Sequence, residues 1–109
     1  MIKIHSMVKK LPVEEKYRIK GQIERSSASV CDNIAEGYSS YYYNDKIKGM
    51  YTARKEAGET QNHIITLQSK KYINSELSSE LINEYEGLTK GINSYINYIR
   101  DKIKTSKLT

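Results

Sequence analysis

Asp32, Asn33 and Glu36 stand close together between Cys31 and Gly37, in the stretch SVCDNIAEGYSSYYY at residues 29–43. Carboxylates beside a thiol can do acid–base or nucleophilic work when they converge on one reacting atom. Cys31 could pair with His63 as thiol and imidazole, but no local signature supports the pair. A cysteine beside an apolar stripe is more often a small buried hydrophobe. Glu59 and His63 raise the question of a metal. A di-iron bundle needs Glu-x-x-His on facing helices; these two are four apart, and His5 has no matching carboxylate. The run Ser26, Ser27, Ala28, Ser29 offers hydroxyls, yet four small residues in mid-helix fit the close approach of another helix, with Gly58 in the facing stripe. Gly87 and Gly91 lack the Lys-Ser/Thr that would make a phosphate loop. No catalytic residue, metal or cofactor is expected, and the protein reads as a non-enzyme.

The elements that carry these residues read as helices. Pro12 is the single proline, and period-2 alternation is not sustained anywhere. One helix is expected over 12–37, with Pro12 in its first turn, Glu14 and Glu15 complementing the dipole, and an apolar stripe of Ile19, Ile23, Ser26/Ser27, Val30 and Ile34. A second is expected over 44–72, capped at Asn44–Asp45. Its inward stripe is read as Ile47, Met50/Tyr51, Arg54, Ala57/Gly58, Gln61, Ile64/Ile65 and Gln68. A third is expected over 75–104, with Asn74 or Ser75 as cap and a heptad-like seam of Leu77, Leu81, Tyr85, Leu88, Ile92, Tyr95, Ile99 and Ile103. Residues 2–10 leave room for a short first helix, and the basic tail RDKIKTSKLT is expected to fray. Short connections force antiparallel neighbours, so the expected fold is all-α: an antiparallel up-down four-helix bundle with a short first helix, one domain over 1–109.

Within that frame the polar cluster reads as a helix end. Gly37 is the natural left-handed residue after the last turn. Glu36 opposes the helix dipole there, so a cation such as Arg54 is expected to pair with it across two helices as a register lock.

Eighteen Lys+Arg against thirteen Asp+Glu give a net charge of +5 and a pI near 9.2, which favours anionic partners, nucleic acid first. A coding bias toward Lys, Asn, Ile and Tyr would produce much the same excess. One cysteine excludes an internal disulfide. With no span of membrane length and no secretory signal, a cytoplasmic protein is expected.

LPVEEKY, QIERSSASVCDNIAEGY and YTARKEAGETQNHIITLQSKKYI together resemble the small four-helix-bundle proteins encoded within intervening sequences of bacterial large-subunit rRNA genes. Relatives of that family include accessory variability determinant proteins of diversity-generating retroelements. The resemblance spans residues 11–73. Gln22, Ile23 and Arg25 match one motif, Asn33 to Gly37 a second, and Ala53 and Glu59 a third. Lys55 and Glu56 stand where the family usually has Gly-Ser, and Ser40 where a basic residue is common. The family's first helix is longer, so either this one is short or the chain starts at an internal methionine. The resemblance implies a non-enzymatic bundle, homopentameric in one branch, with a basic surface for nucleic acid and, in the retroelement branch, a reverse-transcriptase partner.

The leading expectation is therefore an oligomeric bundle presenting Arg18, Arg25, Lys48, Lys55, Lys70, Lys71 and Lys104 to RNA or DNA, with Gln22, Arg25, Asn33, Glu36, Gly37, Arg54 and Glu59 as structural motif residues. Tyr41, Tyr42 and Tyr43 could stack on unpaired bases, or pack a loop or subunit interface. The alternative is a protein-interaction adaptor whose helical groove receives a partner helix, which the acidic start of the last helix (Glu76, Glu80, Glu84, Glu86) suits better than it suits nucleic acid.

Overall fold

A computed structural model describes residues 13–108. Among them there are three helices and no strand: α1 (Val13–Ser39), α2 (Tyr43–Ser69) and α3 (Ser75–Leu108). The expected helix at 2–10, His5 and Pro12 lie outside the described residues. The chain runs up, down and up. Gly37 meets Gly49 and Ser26 meets Thr60, so numbers fall along α2 as they rise along α1. Gln61 reaches Ile82 and Arg54 reaches Asn93, which sets α3 antiparallel to α2. The middle helix is α2; the backbones of α1 and α3 approach each other far less than either approaches α2.

The apolar stripe of α1 is buried as expected at Ile19, Ile23, Ser26, Ser27 and Val30, and the α3 seam at Leu81, Tyr85, Ile92 and Ile99, with Ser78 and Ile96 added. On α2 the expected stripe holds at Met50, Ala57 and Ile64 and fails at its other turns. Its inward residues are Met50, Ala53, Ala57, Thr60, Ile64 and Leu67, whereas Arg54, Gly58, Ile65 and Gln68 are exposed. The true stripe is half small or polar, so the larger apolar residues beside it set the wrong phase. Close approach occurs at Ser26, which meets Thr60, and not at Gly58, where an added Cβ meets nothing within 4 Å.

The ends are made by local chemistry. Asn74 Oδ1 accepts the Leu77 N–H at 2.8 Å and caps α3. The end of α2 is a left-handed closure: Lys71 has φ 64°, its N–H donates to Gln68 O at 2.9 Å, and the Tyr72 N–H donates to Leu67 O at 2.9 Å. At its start α2 uses Tyr42, with no side-chain cap, and places Asp45 inside the first turn. α3 is helical to Leu108.

Two clusters fill the bundle. The base, at the α2–α3 connection, is closed by Ile19, Ile23, Val30, Ala57, Ile64, Leu67, Ile73, Leu81 and Tyr85. The tip, at the α1–α2 connection, has a smaller buried cluster of Met50, Ala53, Ile92 and Ile96, with Ile99 buried beyond it. A chain of hydroxyls crosses the interior: Ser26 Oγ donates to Ile23 O at 3.3 Å, Thr60 Oγ1 donates to Ser26 Oγ at 2.8 Å, and the Tyr85 hydroxyl shares a hydrogen bond with Thr60. All three helices contribute to it. Such a chain penalises register slips, because a shift would strand buried hydroxyls.

Candidate nucleic-acid interface

The motif Asn33 to Gly37 builds a helix crossing. No glycine among the described residues has positive φ, and α1 continues two residues beyond Gly37, which corrects the expected cap. Gly37 is buried against α2. A Cβ on Gly49 would lie 2.7 Å from the Gly37 Cα and 3.0 Å from the Asn33 carbonyl oxygen. These are backbone atoms, so the two helices touch where neither carries a side chain. The Asn33 side chain folds back, its Nδ2 donating to Ser29 O at 2.8 Å and to Ser29 Oγ at 3.1 Å. The last turn of α1 is closed by Ser40, whose hydroxyl donates to Glu36 O at 2.8 Å.

The expected Glu36–Arg54 pair is absent. Glu36 is exposed beside Asp45 and Lys48 in a polar recess, while Arg54 Nη1 donates to Asn93 Oδ1 at 2.6 Å on α3. The α1 dipole is complemented instead by Lys46, whose Nζ donates to Tyr38 O at 2.6 Å. Register is set by the buried Ser26–Thr60–Tyr85 hydroxyls.

The candidate cations do not form one patch. Arg18 donates to Glu15 at 2.7 Å, and Lys70 lies 3.6 Å from the same carboxylate, so both are partly neutralised at the base. Partial burial pushes the Glu15 carboxyl up, but the hydrogen bond from Arg18 and the Lys70 and Arg18 charges outweigh it and hold it below its ordinary value. Arg25, Lys48, Lys55, Lys71 and Lys104 are all exposed. They are distributed from the α2–α3 connection to the far end of α3, a helix about 51 Å long. Gln22 and Glu59 are half-buried on α1 and α2. Cys31 is exposed on α1. The Ser26–Thr60 register places His63 about two turns from it, so the two do not pair. Among the described residues no three His, Cys, Asp or Glu side chains are placed to hold a metal ion, and no helix is long and apolar enough to cross a membrane.

What the structure does bring together is aromatic and basic, and it sits at the tip. A cleft of about 470 Å³ is lined by Tyr38, Tyr43, Lys46, Tyr95, Tyr98, Ile99 and Lys102. The rings of Tyr38 and Tyr95 are 5.9 Å apart, and those of Tyr95 and Tyr98 6.2 Å apart. Partial burial, then the neighbouring Tyr38 and Tyr98, push the Tyr95 phenol up, so it stays neutral. Lys46 Nζ stands 5.7 Å from the Tyr38 ring and Lys102 Nζ 5.2 Å from the Tyr98 ring. On the opposite face, Arg54 and Arg100 lie 4.8 Å and 5.6 Å from the Tyr51 ring, and Arg100 donates to the Tyr51 hydroxyl. These four cations lean on π faces, with no carboxylate at ion-pair distance among the described residues. Lys46, Arg100 and Lys102 are not among the sequence candidates, and of the two α3 tyrosines here Tyr95 reads as core and Tyr98 is assigned nothing. The spacing Tyr95, Tyr98, Lys102 held the signal: 3 and 4 residues apart, they share one helix face.

No curated protein and no solved structure matches the chain. One protein family does, over residues 1–94, across the crossing motif and most of α3: the chain belongs to the 23S rRNA-intervening sequence protein family.

Proposed function

We infer that this protein is a non-enzymatic helical bundle that assembles with copies of itself and binds nucleic acid through basic surface, as a scaffold or accessory factor. The observation that carries the reading is the set of four cations at the tip, Lys46, Arg54, Arg100 and Lys102, held by tyrosine rings and a helix end, with no ion pair to a carboxylate among the described residues. Cations so placed are already ordered and keep their charge available to phosphates. Repetition around an oligomer, a pentamer by the resemblance, would multiply a modest per-chain charge into avidity. A link to retroelement accessory proteins and a reverse-transcriptase partner rests on resemblance alone.

One observation favours the adaptor reading. An apolar groove lined by Ile34, Tyr38, Met50, Leu88, Ile92 and Tyr95 runs between α1 and α3 at the tip, and a partner's helix would fit such a groove.

Light scattering followed by a salt titration separates the two. On the nucleic-acid reading, affinity for labelled RNA or DNA falls linearly in log–log form as salt rises, and alanine at Arg54 and Arg100 together flattens the slope by about two phosphate contacts. Absence of binding at about 50 mM salt would overturn it.

A further inference from the structure

The geometry points to the tip cleft as a base-stacking site for single-stranded nucleic acid, with Tyr38, Tyr95 and Tyr98 as the stacking rings and Lys46 and Lys102 as backbone contacts at its two rims. The inference rests on the nucleic-acid reading above and names the strand form that reading leaves open.

Three rings follow one another across the cleft at 5.9 and 6.2 Å, tilted by 40° and 35°. They form a shallow aromatic floor shared by α1 and α3. Tyr38 is 67% exposed and Tyr98 54%, so the rings hold apolar area in water that a flat ligand would cover. The floor ends at a cation on each side, Lys46 at Tyr38 and Lys102 at Tyr98. An unpaired strand alternates the groups this surface would bind, bases with π faces and phosphates with charge. A duplex does not, because its bases are already stacked on one another and only its backbone is within reach. A proline-rich peptide could also lie on aromatic rings, but it would have no use for ammonium groups at both ends. The charge therefore favours the strand.

The chain contains no tryptophan, so its ultraviolet emission comes from tyrosine and stacking is read directly as quenching. The experiment titrates full-length protein with oligouridylate, oligothymidylate and a duplex of matched length, at low and at raised salt. Single strands are expected to quench the emission and to bind more tightly than the duplex; the two single-stranded arms show whether the ribose matters. Tyr98→Ala should weaken single-strand affinity by about 5- to 150-fold and duplex affinity far less, through the looser Lys102 alone, while Tyr98→Phe, which keeps the ring, should restore both. Lys102→Ala should lower the salt slope by about one contact. Equal loss for both strand forms, or none with Tyr98→Ala, overturns the stacking site while leaving nucleic-acid binding in place. Failure of every nucleic acid to bind overturns both readings. A Tyr98→Ala protein whose mass in solution changes while its affinity does not would assign the cleft to contact between copies, and that also overturns the proposal. A salt-insensitive ligand that competes for the cleft, such as a proline-rich peptide binding while oligouridylate does not, does the same.

Discussion

At the base of the bundle nine buried side chains, drawn from all three helices and from Ile73 in the connection, close one core. At the tip four do, and none of them belongs to α1. There α1 is held mainly by a backbone contact, Gly37 on Gly49, and by the half-buried Ile34. The difference separates two jobs that a small bundle must do. Burial at the base supplies stability, since apolar area removed from water is the main favourable term. A backbone contact at the tip fixes geometry with little burial, which leaves Tyr38, Tyr41, Tyr42 and Tyr98 in solvent. Exposed aromatic rings beside cations make a binding surface more readily than a core.

The widest contrast to test is a base residue against a tip residue. Ile23 is fully buried, and Ile23→Ala should cost about 2–5 kcal/mol through lost transfer energy and a cavity. Tyr38→Ala removes a larger side chain but should cost no more than about 0.5 kcal/mol, because the ring is mostly in solvent. Chemical denaturation of the two variants measures both. Similar losses would mean that the tip is packed as firmly as the base.

Titration of the base should be visible at high pH. Burial, with smaller contributions from Cys31 and Glu84 that outweigh the Thr60 hydrogen bond, pushes the Tyr85 phenol from 10.0 up to about 12. Between those values the unfolded chain has lost the proton and the folded one keeps it. The folded state thus binds more protons, and stability falls as pH rises, by about 1.4 kcal/mol per pH unit from this group. The effect begins about one pH unit below 10.0, where the unfolded phenol starts to ionise, and is absent at lower pH. Denaturation curves taken across that window should fall more steeply for the native sequence than for Tyr85→Phe. Parallel curves would show that the hydroxyl is not sealed from water.

Which parts of this were legible in the sequence follows from where apolar residues carry the signal. The faces of α1 and α3 could be read because Ile19, Ile23, Val30, Leu81, Tyr85 and Ile92 recur at helical spacing and really are inside. The face of α2 could be read only in part, at Met50, Ala57 and Ile64. Ala53, Ala57 and Thr60 fill its narrow contact with α1, where the helices come too close for larger side chains, so the inward stripe looks polar and the outward Ile65 looks like core. Gly37 was misread for a related reason. A glycine near a helix end is usually a cap, and only its partner twelve residues later, Gly49, distinguishes a crossing from a stop. The basic candidates rest on charge and an outward-facing position, which cannot separate Arg18, paired with Glu15, from Lys102, which rests on a ring. Asn74 was readable as a cap because that chemistry is local and needs no tertiary partner.

The crossing offers the finest version of the comparison, since two glycines of one helix should respond in opposite directions. Alanine is the better helix former by about 1 kcal/mol, so any Gly→Ala change inside α2 begins with that gain. At Gly58 nothing lies within 4 Å of the added methyl, so Gly58→Ala should keep most of the gain and stabilise the protein by about 0.5–1 kcal/mol. At Gly49 the methyl would sit 2.7 Å from the Gly37 Cα and 3.0 Å from the Gly37 nitrogen. Backbone cannot rotate out of the way as a side chain can, so α1 must move off α2, and overpacking outweighs propensity to give a net loss of about 1–3 kcal/mol. Melting of the two single variants decides it: opposite signs place the α1–α2 contact at Gly37–Gly49, whereas a Gly49→Ala protein as stable as Gly58→Ala would show that the tip is held by something other than that contact.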